Sequence, residues 1–413
     1  MEAIILILIA ISLSLFFSII LKKYEIGLFF VLLASNRITY AGGPLLDVCV
    51  GAALFALFFS LILERKSKIF WIAIILSICY AFVIFYVQPY KINAQFFAAY
   101  FIALLMFTCT ILIKWDREKI IKFVSAYGVY LLAYGLFEKI LANPLRIAGP
   151  LTAATAYAVV LTIVWGIWFV EGILSNRQSI KLILLGSFLT LLAILFSGTR
   201  MGLLGLMFGV VYGGLFKILI VHKNLIKKFL IVCCLLSIIS LLFITVWYFI
   251  PDDMFVKRSF NALISGRLDK SSMARIQIWL ASIEIISEHT LWGVGPGNFS
   301  GAVKKYFTLH NMPPMAPVSA DTHAHNIFFI VLTEYGFTGF ITLGVIVASC
   351  IISLLHKIIK YTDNFIYYGL CCGVIIMMIL GMVDATPMYL PTACFGAWLL
   401  GVCASFKKEN KIC

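Results

Sequence analysis

The amino-acid sequence predicts an all-α, polytopic helical membrane protein of about twelve transmembrane helices, interrupted by one large loop between Pro251 and His325. Three observations predict it. Hydrophobic residues make up 63% of the 413 residues and charged ones only 12%, whereas soluble chains average about 25% charged. Hydrocarbon must therefore supply part of the solvent. The apolar residues gather in runs near the ~20 residues a helix needs to cross ~30 Å of hydrocarbon. The connections between runs alternate between many and few basic residues, the pattern of a chain threaded back and forth across a bilayer.

The runs fall at 3–21, 48–63, 69–87, 96–113, 120–141, 152–174, 181–198, 201–219, 228–250, 326–355, 365–383 and 389–406. They divide the chain into N-terminal spans (1–250), the loop (251–325) and C-terminal spans with a short tail (326–413). The first run lacks a basic n-region and an A-x-A-like cleavage site, so it is expected to be retained as a span. A shorter run, Ile26 to Ser35, is followed by NRITYAGGPLLD. It reads either as a thirteenth crossing or as a half-helix that re-enters. Ten of the eleven cysteines lie in or at the ends of apolar runs, and the last is Cys413 in KKENKIC, which is not a prenylation box. They read as small buried hydrophobes, not as a disulfide or metal framework.

Charge gives orientation. The net charge of +14 suggests nucleic acid only until the basic residues are placed. ERKSK, KWDREK, SNRQSIK, VHKNLIKK, HKIIK and the KKENK tail, with Lys122 and Lys217, hold 18 Lys and Arg; the opposing short connections hold only Lys91, Lys139, Arg146 and Arg200. The richer set is expected to be cytoplasmic, no nucleic-acid partner is implied, and the loop 251–325 faces outward. A site there meets no cytosolic nucleotide sugar.

Within the loop, Ser272 to Glu288 predicts a helix lying on the bilayer, with Ser271 or Ser272 as cap and Ile276, Leu280, Ile283 and Ile286 as one apolar stripe. Arg275 and Trp279, four apart, share a face. Between Lys257 and Arg275 five basic residues (Lys257, Arg258, Arg267, Lys270, Arg275) face one carboxylate, Asp269. Such a cluster suits a phosphate-bearing lipid; ordinary headgroup contact is the plainer reading. LWGVGPGNF (291–299) is expected to be a Gly/Pro turn between helices, since no strand or βαβ unit surrounds it. DTHAHNIFFIVLTEYGFTGF (321–340) places Asp321, His323, His325 and Asn326 where the chain re-enters the membrane. Polar groups at that depth are costly unless they are used. No third ligand at zinc-type spacing accompanies the His-x-His, so no metal site is expected.

These residues resemble the O-antigen ligases and the related O-antigen polymerases and oligosaccharyltransferases. The family signature, His followed by Asn, Ser or Gln, nine residues, Gly, two residues and Gly, is matched by His325, Asn326, Gly336 and Gly339. An Arg in a Ser/Thr-rich context after a middle span is matched by Ser197-Gly198-Thr199-Arg200, and an Arg one turn before a Trp, leading into a Gly-rich stretch, by Arg275, Trp279 and 291–299. The motifs cover roughly 185–340; elsewhere the likeness is in span pattern. The resemblance implies a metal-independent, inverting glycosyltransferase of the GT-C type, without cofactor, in a Gram-negative inner membrane with its site toward the periplasm. The donor would be a glycan on undecaprenyl pyrophosphate and the acceptor a sugar hydroxyl of lipid A–core.

The residues allow that chemistry. A sugar hydroxyl needs a base, and an unperturbed imidazole titrates near ~6.5; His325 is the candidate. Charge grows on the departing pyrophosphate, and guanidinium groups bind it bidentately; Arg200 and Arg275 are the candidates, with Arg267 a third. His323 orients its neighbour or binds substrate; it is not expected to be a second base, since on a helix i and i+2 point apart. Asn326 positions His325 or binds sugar, Trp279 supports, and Gly336 and Gly339 allow close helix packing. The plainer alternatives are a capping role for His325, snorkelling for Arg200 and headgroup contact for Arg275. The length and layout resemble ligases more than polymerases, and the short tail is expected to set the chain apart from protein oligosaccharyltransferases. A transporter is the rival of a different class. It would carry midplane charges and internal repeats, whereas here the polar groups collect at one edge.

Overall fold

The computed structural model describes residues 2–35, 44–64, 94–151, 153–175, 179–221, 270–314, 318, 323–382 and 390–405. Among them there are thirteen α-helices and no strand: α1 (Glu2–Leu15, continued by a π-helical turn Phe16–Ile20), α2 (Tyr24–Ser35), α3 (Pro44–Glu64), α4 (Ala94–Leu112), α5 (Arg117–Ala142), α6 (Ala154–Ser175), α7 (Ile180–Ser197), α8 (Arg200–Val221), α9 (Lys270–Glu288), α10 (Phe299–Leu309), α11 (Ile327–Lys360), α12 (Ile366–Gly381) and α13 (Leu390–Ala404). Five of these, α5, α6, α7, α8 and α11, are long and apolar enough to cross a membrane, and several shorter apolar helices accompany them. This composition fits a polytopic membrane protein. The runs at 69–87 and 228–250, and Arg267 with them, lie outside the described residues. The run at 26–35 belongs to α2, whose 12 residues reach about 18 Å at 1.5 Å per residue, short of ~30 Å of hydrocarbon.

The chain divides into two compact units, Met1–Trp115 with Lys270–Ile352 and Gly381–Cys413, and Asp116–Asp269 with Ser353–Leu380. In the second unit α6 is the axis. Nearly every side chain from Ala156 to Leu174 is buried, as expected of a helix that is apolar all round, and α5, α7 and α8 pack on it. The seat of α8 is a row of small residues. A Cβ at Gly205 would stand 2.5 Å from Thr162 Cγ2, one at Gly209 2.7 Å from the Trp165 ring, and one at Gly202 3.1 Å from Ala158 Cβ. Backbones approach this closely only where side chains are absent. The row fixes the height and rotation of α8 and hence of Arg200, its first residue. Away from α6, Ile180, Leu182, Leu184, Leu185 and Phe188 of α7 are exposed, the face a lipid-contacting helix presents. Asp116 caps α5 by accepting from Lys119 N at 2.9 Å, and Arg117 pairs with buried Glu171 of α6, so that carboxylate is not left uncompensated.

In the first unit α4 packs between α3 and α13, and α1 and α2 form a hairpin. The helix α9 begins at Lys270, so Ser271 and Ser272, expected as caps, lie inside its first turn. It is apolar on two opposite faces. Ile276, Leu280 and Ile283 are 37%, 50% and 55% exposed, whereas Ile278, Ala281 and Ile285 are buried against Phe299, Val303 and Phe307 of α10. The exposed stripe is the one expected to meet the bilayer. The six cysteines whose side chains are described form no disulfide with one another, and five of them are buried.

Candidate functional site

In the first unit, the Gly-rich stretch after α9 and the beginning of α11 interlock through their backbones. Val294 N donates to Thr333 O at 2.8 Å and Gly295 N to Glu334 O at 3.0 Å, while Phe337 N donates to Thr290 O at 2.8 Å and Thr338 N to Leu291 O at 3.2 Å. A continuous helix would use these groups internally. They are released because α11 breaks at Gly336, with φ 63° and ψ −167°, a backbone open to glycine alone. A Cβ at Gly336 would stand 2.3 Å from Leu291 O, and one at Gly293, φ 69°, 2.6 Å from Glu334 O. The expectation of helix–helix packing at Gly336 is therefore corrected: its close approach is to loop backbone. Gly339 is buried three residues further on. The two sequence motifs that contain Gly293 and Gly336 are one structural unit.

His323 to Asn326 precede α11 as irregular backbone. Asn326 Oδ1 accepts from Phe328 N at 2.8 Å and Phe329 N at 3.3 Å, making Asn326 the N-cap of α11. Its Nδ2 donates to Met382 O at 2.8 Å. Both ends of the amide are thus engaged in holding the junction. On the other side, Trp279 Nε1 donates to Ala324 O at 2.6 Å, and Ala324 is fully buried. Between these two tethers His325 takes φ 49°, the left-handed region that non-glycine residues rarely occupy. Residues i and i+2 point apart only on a helix, and the helix starts only after Asn326. The His323 and His325 rings lie with centroids 4.3 Å apart and planes at 49°. The two rings therefore pack against each other. Arg275 lies one turn before Trp279 on α9, half-buried, and forms no ion pair among the described residues.

Glu334 is a member of this junction that motif reading missed. It is 6% exposed, its carboxylate accepts from the backbone N–H groups of Gly297 and Phe299, and it acts electrostatically on His323. It thereby satisfies backbone N–H groups at the N-terminus of α10 and ties that helix to α11. The signal was available: one carboxylate in an otherwise apolar run, IFFIVLTEYGF, must have a partner.

In the second unit, α7 ends and α8 begins across a four-residue turn. Gly198 takes φ 64° as the C-cap of α7. Ser197 and Thr199, both buried, join by their hydroxyls, and Arg200 opens α8, half-buried. The loop after α5 closes on this turn: Ile147 N donates to Phe196 O at 3.1 Å and Arg146 Nε to Ser197 O at 2.8 Å. Trp279, His323, His325, Asn326 and Gly336 thus gather in the first unit, with Arg275 a turn away, and Arg200 stands in the second with Arg146. Among the described residues no three His, Cys, Asp or Glu side chains form a metal-binding group.

Residues 185–344 match a family model, Wzy_C, described as O-antigen ligase. The matched stretch contains Arg200, α9, the Gly-rich loop, the histidine pair and Gly336. No curated protein gives a match to the chain.

Proposed function

We infer, from the O-antigen ligase domain carried by residues 185–344, that the protein is an O-antigen ligase. It transfers a polysaccharide from undecaprenyl pyrophosphate to a sugar hydroxyl of lipid A–core at the periplasmic face of the inner membrane. The observation that carries this reading is the junction at His325: an imidazole held in a left-handed bend between two tethers, within the matched domain. His325 takes the proton of the acceptor hydroxyl as its oxygen attacks the anomeric carbon. The new carbon–oxygen bond forms as the bond to the pyrophosphate oxygen breaks. The bonding pair leaves with undecaprenyl pyrophosphate, and the anomeric configuration inverts. His323, in contact with the His325 ring, orients it. Arg200, Arg275 and Arg267 bind the pyrophosphate oxygens, whose charge grows as the bond breaks. No step calls for a metal ion.

A deletion strain tests the reading. Loss of polysaccharide from lipid A–core, with lipid-linked polymer accumulating, is the expected phenotype. Core bearing a single repeat would instead assign the chain to polymerisation, and unchanged lipopolysaccharide would overturn both.

A further inference from the structure

We propose that Arg146 is a further pyrophosphate-binding residue, set beside Arg200 at the rim of the second unit; the inference rests on the reading of the substrate as a polyprenyl-pyrophosphate-linked glycan. The charge pattern already isolates it. The short connections expected to face outward hold Lys91, Lys139, Arg146 and Arg200, and three of these meet around the end of α7. Lys139 Nζ lies 5.7 Å from the centroid of the Phe196 ring, Arg146 Nε donates to Ser197 O at 2.8 Å, and Arg200 begins the next helix three residues on.

The manner in which Arg146 is held matters more than its proximity. Its Nε is used on a carbonyl at the C-terminal end of α7, where a cation is favoured. That single bond fixes the plane of the guanidinium and leaves both terminal nitrogens, the fork that binds phosphate bidentately. Arg146 is exposed and forms no ion pair among the described residues. Glu138 is directed to backbone, accepting from Gly149 N at 2.7 Å and Ala148 N at 3.5 Å. Lys139 is likewise directed to backbone, at Pro144 O, 3.0 Å away. A pyrophosphate has two phosphoryl groups to neutralise, and two arginines belong to this corner: Arg146, bonded to Ser197 O, and Arg200, three residues on in the chain. A simple cap of α7 would need only the Nε–H.

Arg146→Gln separates the two roles. Glutamine Nε2 stands the same number of bonds from Cα as arginine Nε, so the donor to Ser197 O is kept while the charged fork is removed. The full-length chain is placed in phosphatidylcholine nanodiscs and titrated with undecaprenyl pyrophosphate. The variant should bind about tenfold or more weakly, the usual value of a charge-assisted pair, and the ratio should persist when phosphatidylglycerol is added. Equal binding by Arg146→Gln and the wild type would overturn the inference and leave the ligase reading standing. A ratio that collapses once phosphatidylglycerol is present would assign the fork to lipid headgroups and overturn it too. A wild type that does not bind undecaprenyl pyrophosphate would overturn both readings. Weakened binding by the variant in a chain that transfers no glycan would sink the ligase reading alone. Arg146→Lys, which keeps charge without the fork, should fall between Gln and wild type.

Discussion

Replacing Trp279 by phenylalanine removes one hydrogen atom that the junction depends on. The indole N–H holds Ala324 O at 2.6 Å, and Ala324 has no exposed surface, so no water replaces the lost donor. A buried carbonyl left unpaired costs about 1–3 kcal/mol. The bend at His325, φ 49°, itself stores strain on the order of 1 kcal/mol, which persists only while its surroundings enforce it. The phenyl ring still reaches the Phe329 ring that Trp279 now contacts at 6.1 Å, so packing is largely preserved. Freed of its tether, the segment 323–325 relaxes toward ordinary backbone. A penalty of 1–2 kcal/mol on the productive bend corresponds to a factor of roughly 5–30 in its population. Glycan transfer by purified Trp279→Phe in nanodiscs should therefore lose that factor in kcat, with KM for the lipid-linked donor unchanged within about twofold. Phe329→Leu, which removes the ring contact and keeps the N–H, should leave kcat near wild type. Full kcat in Trp279→Phe would refute the idea that this hydrogen bond positions His325.

Other outcomes follow from the same geometry. Gly336→Ala places a methyl 2.3 Å from Leu291 O on a backbone of φ 63°; the clash is with main chain, and the protein should lose thermal stability by about 3 kcal/mol or more, seen as a lowered melting midpoint or failed insertion. Asn326→Asp keeps the cap and loses the bond to Met382 O, whereas Asn326→Ala loses both; Ala should be the less stable of the two by about 1 kcal/mol in thermal unfolding. Transfer by the purified protein should survive excess chelator, because guanidiniums are assigned the task of the divalent ion. A strict magnesium or manganese requirement would contradict that assignment.

The five long apolar helices were legible because each repeats one demand, about 20 apolar residues between polar ends. The runs at 181–198 and 201–219 appear as Ile180–Ser197 and Arg200–Val221. The histidine geometry was not legible, because it depends on where α11 starts. The cap by Asn326 sets that start, and a helix already running from His323 would have pointed the two rings apart. Gly336 stood out in the motif, yet its function as a helix break needs Thr290 and Leu291 as distant partners, and spacing carries no record of them. Glu334 left a trace in the sequence, as a lone carboxylate among apolar residues. Its partners, the N–H groups of Gly297 and Phe299, are brought to it only by the interlocked loop. Arg146 registered as one of four cations expected to face outward; that its Nε is occupied while its fork is open is visible only in three dimensions.

The central claim is that His325 is the base in transfer of a lipid-linked glycan. The direct measurement is in-vitro transfer to lipid A–core by His325→Asn beside the wild type, in equal amounts of inserted protein. Asparagine is chosen because it tolerates the left-handed backbone at φ 49°, so the bend survives and only the imidazole is lost. The rate should fall by about 10²–10⁴ with donor binding retained. Transfer at near-normal rate in this variant would contradict it.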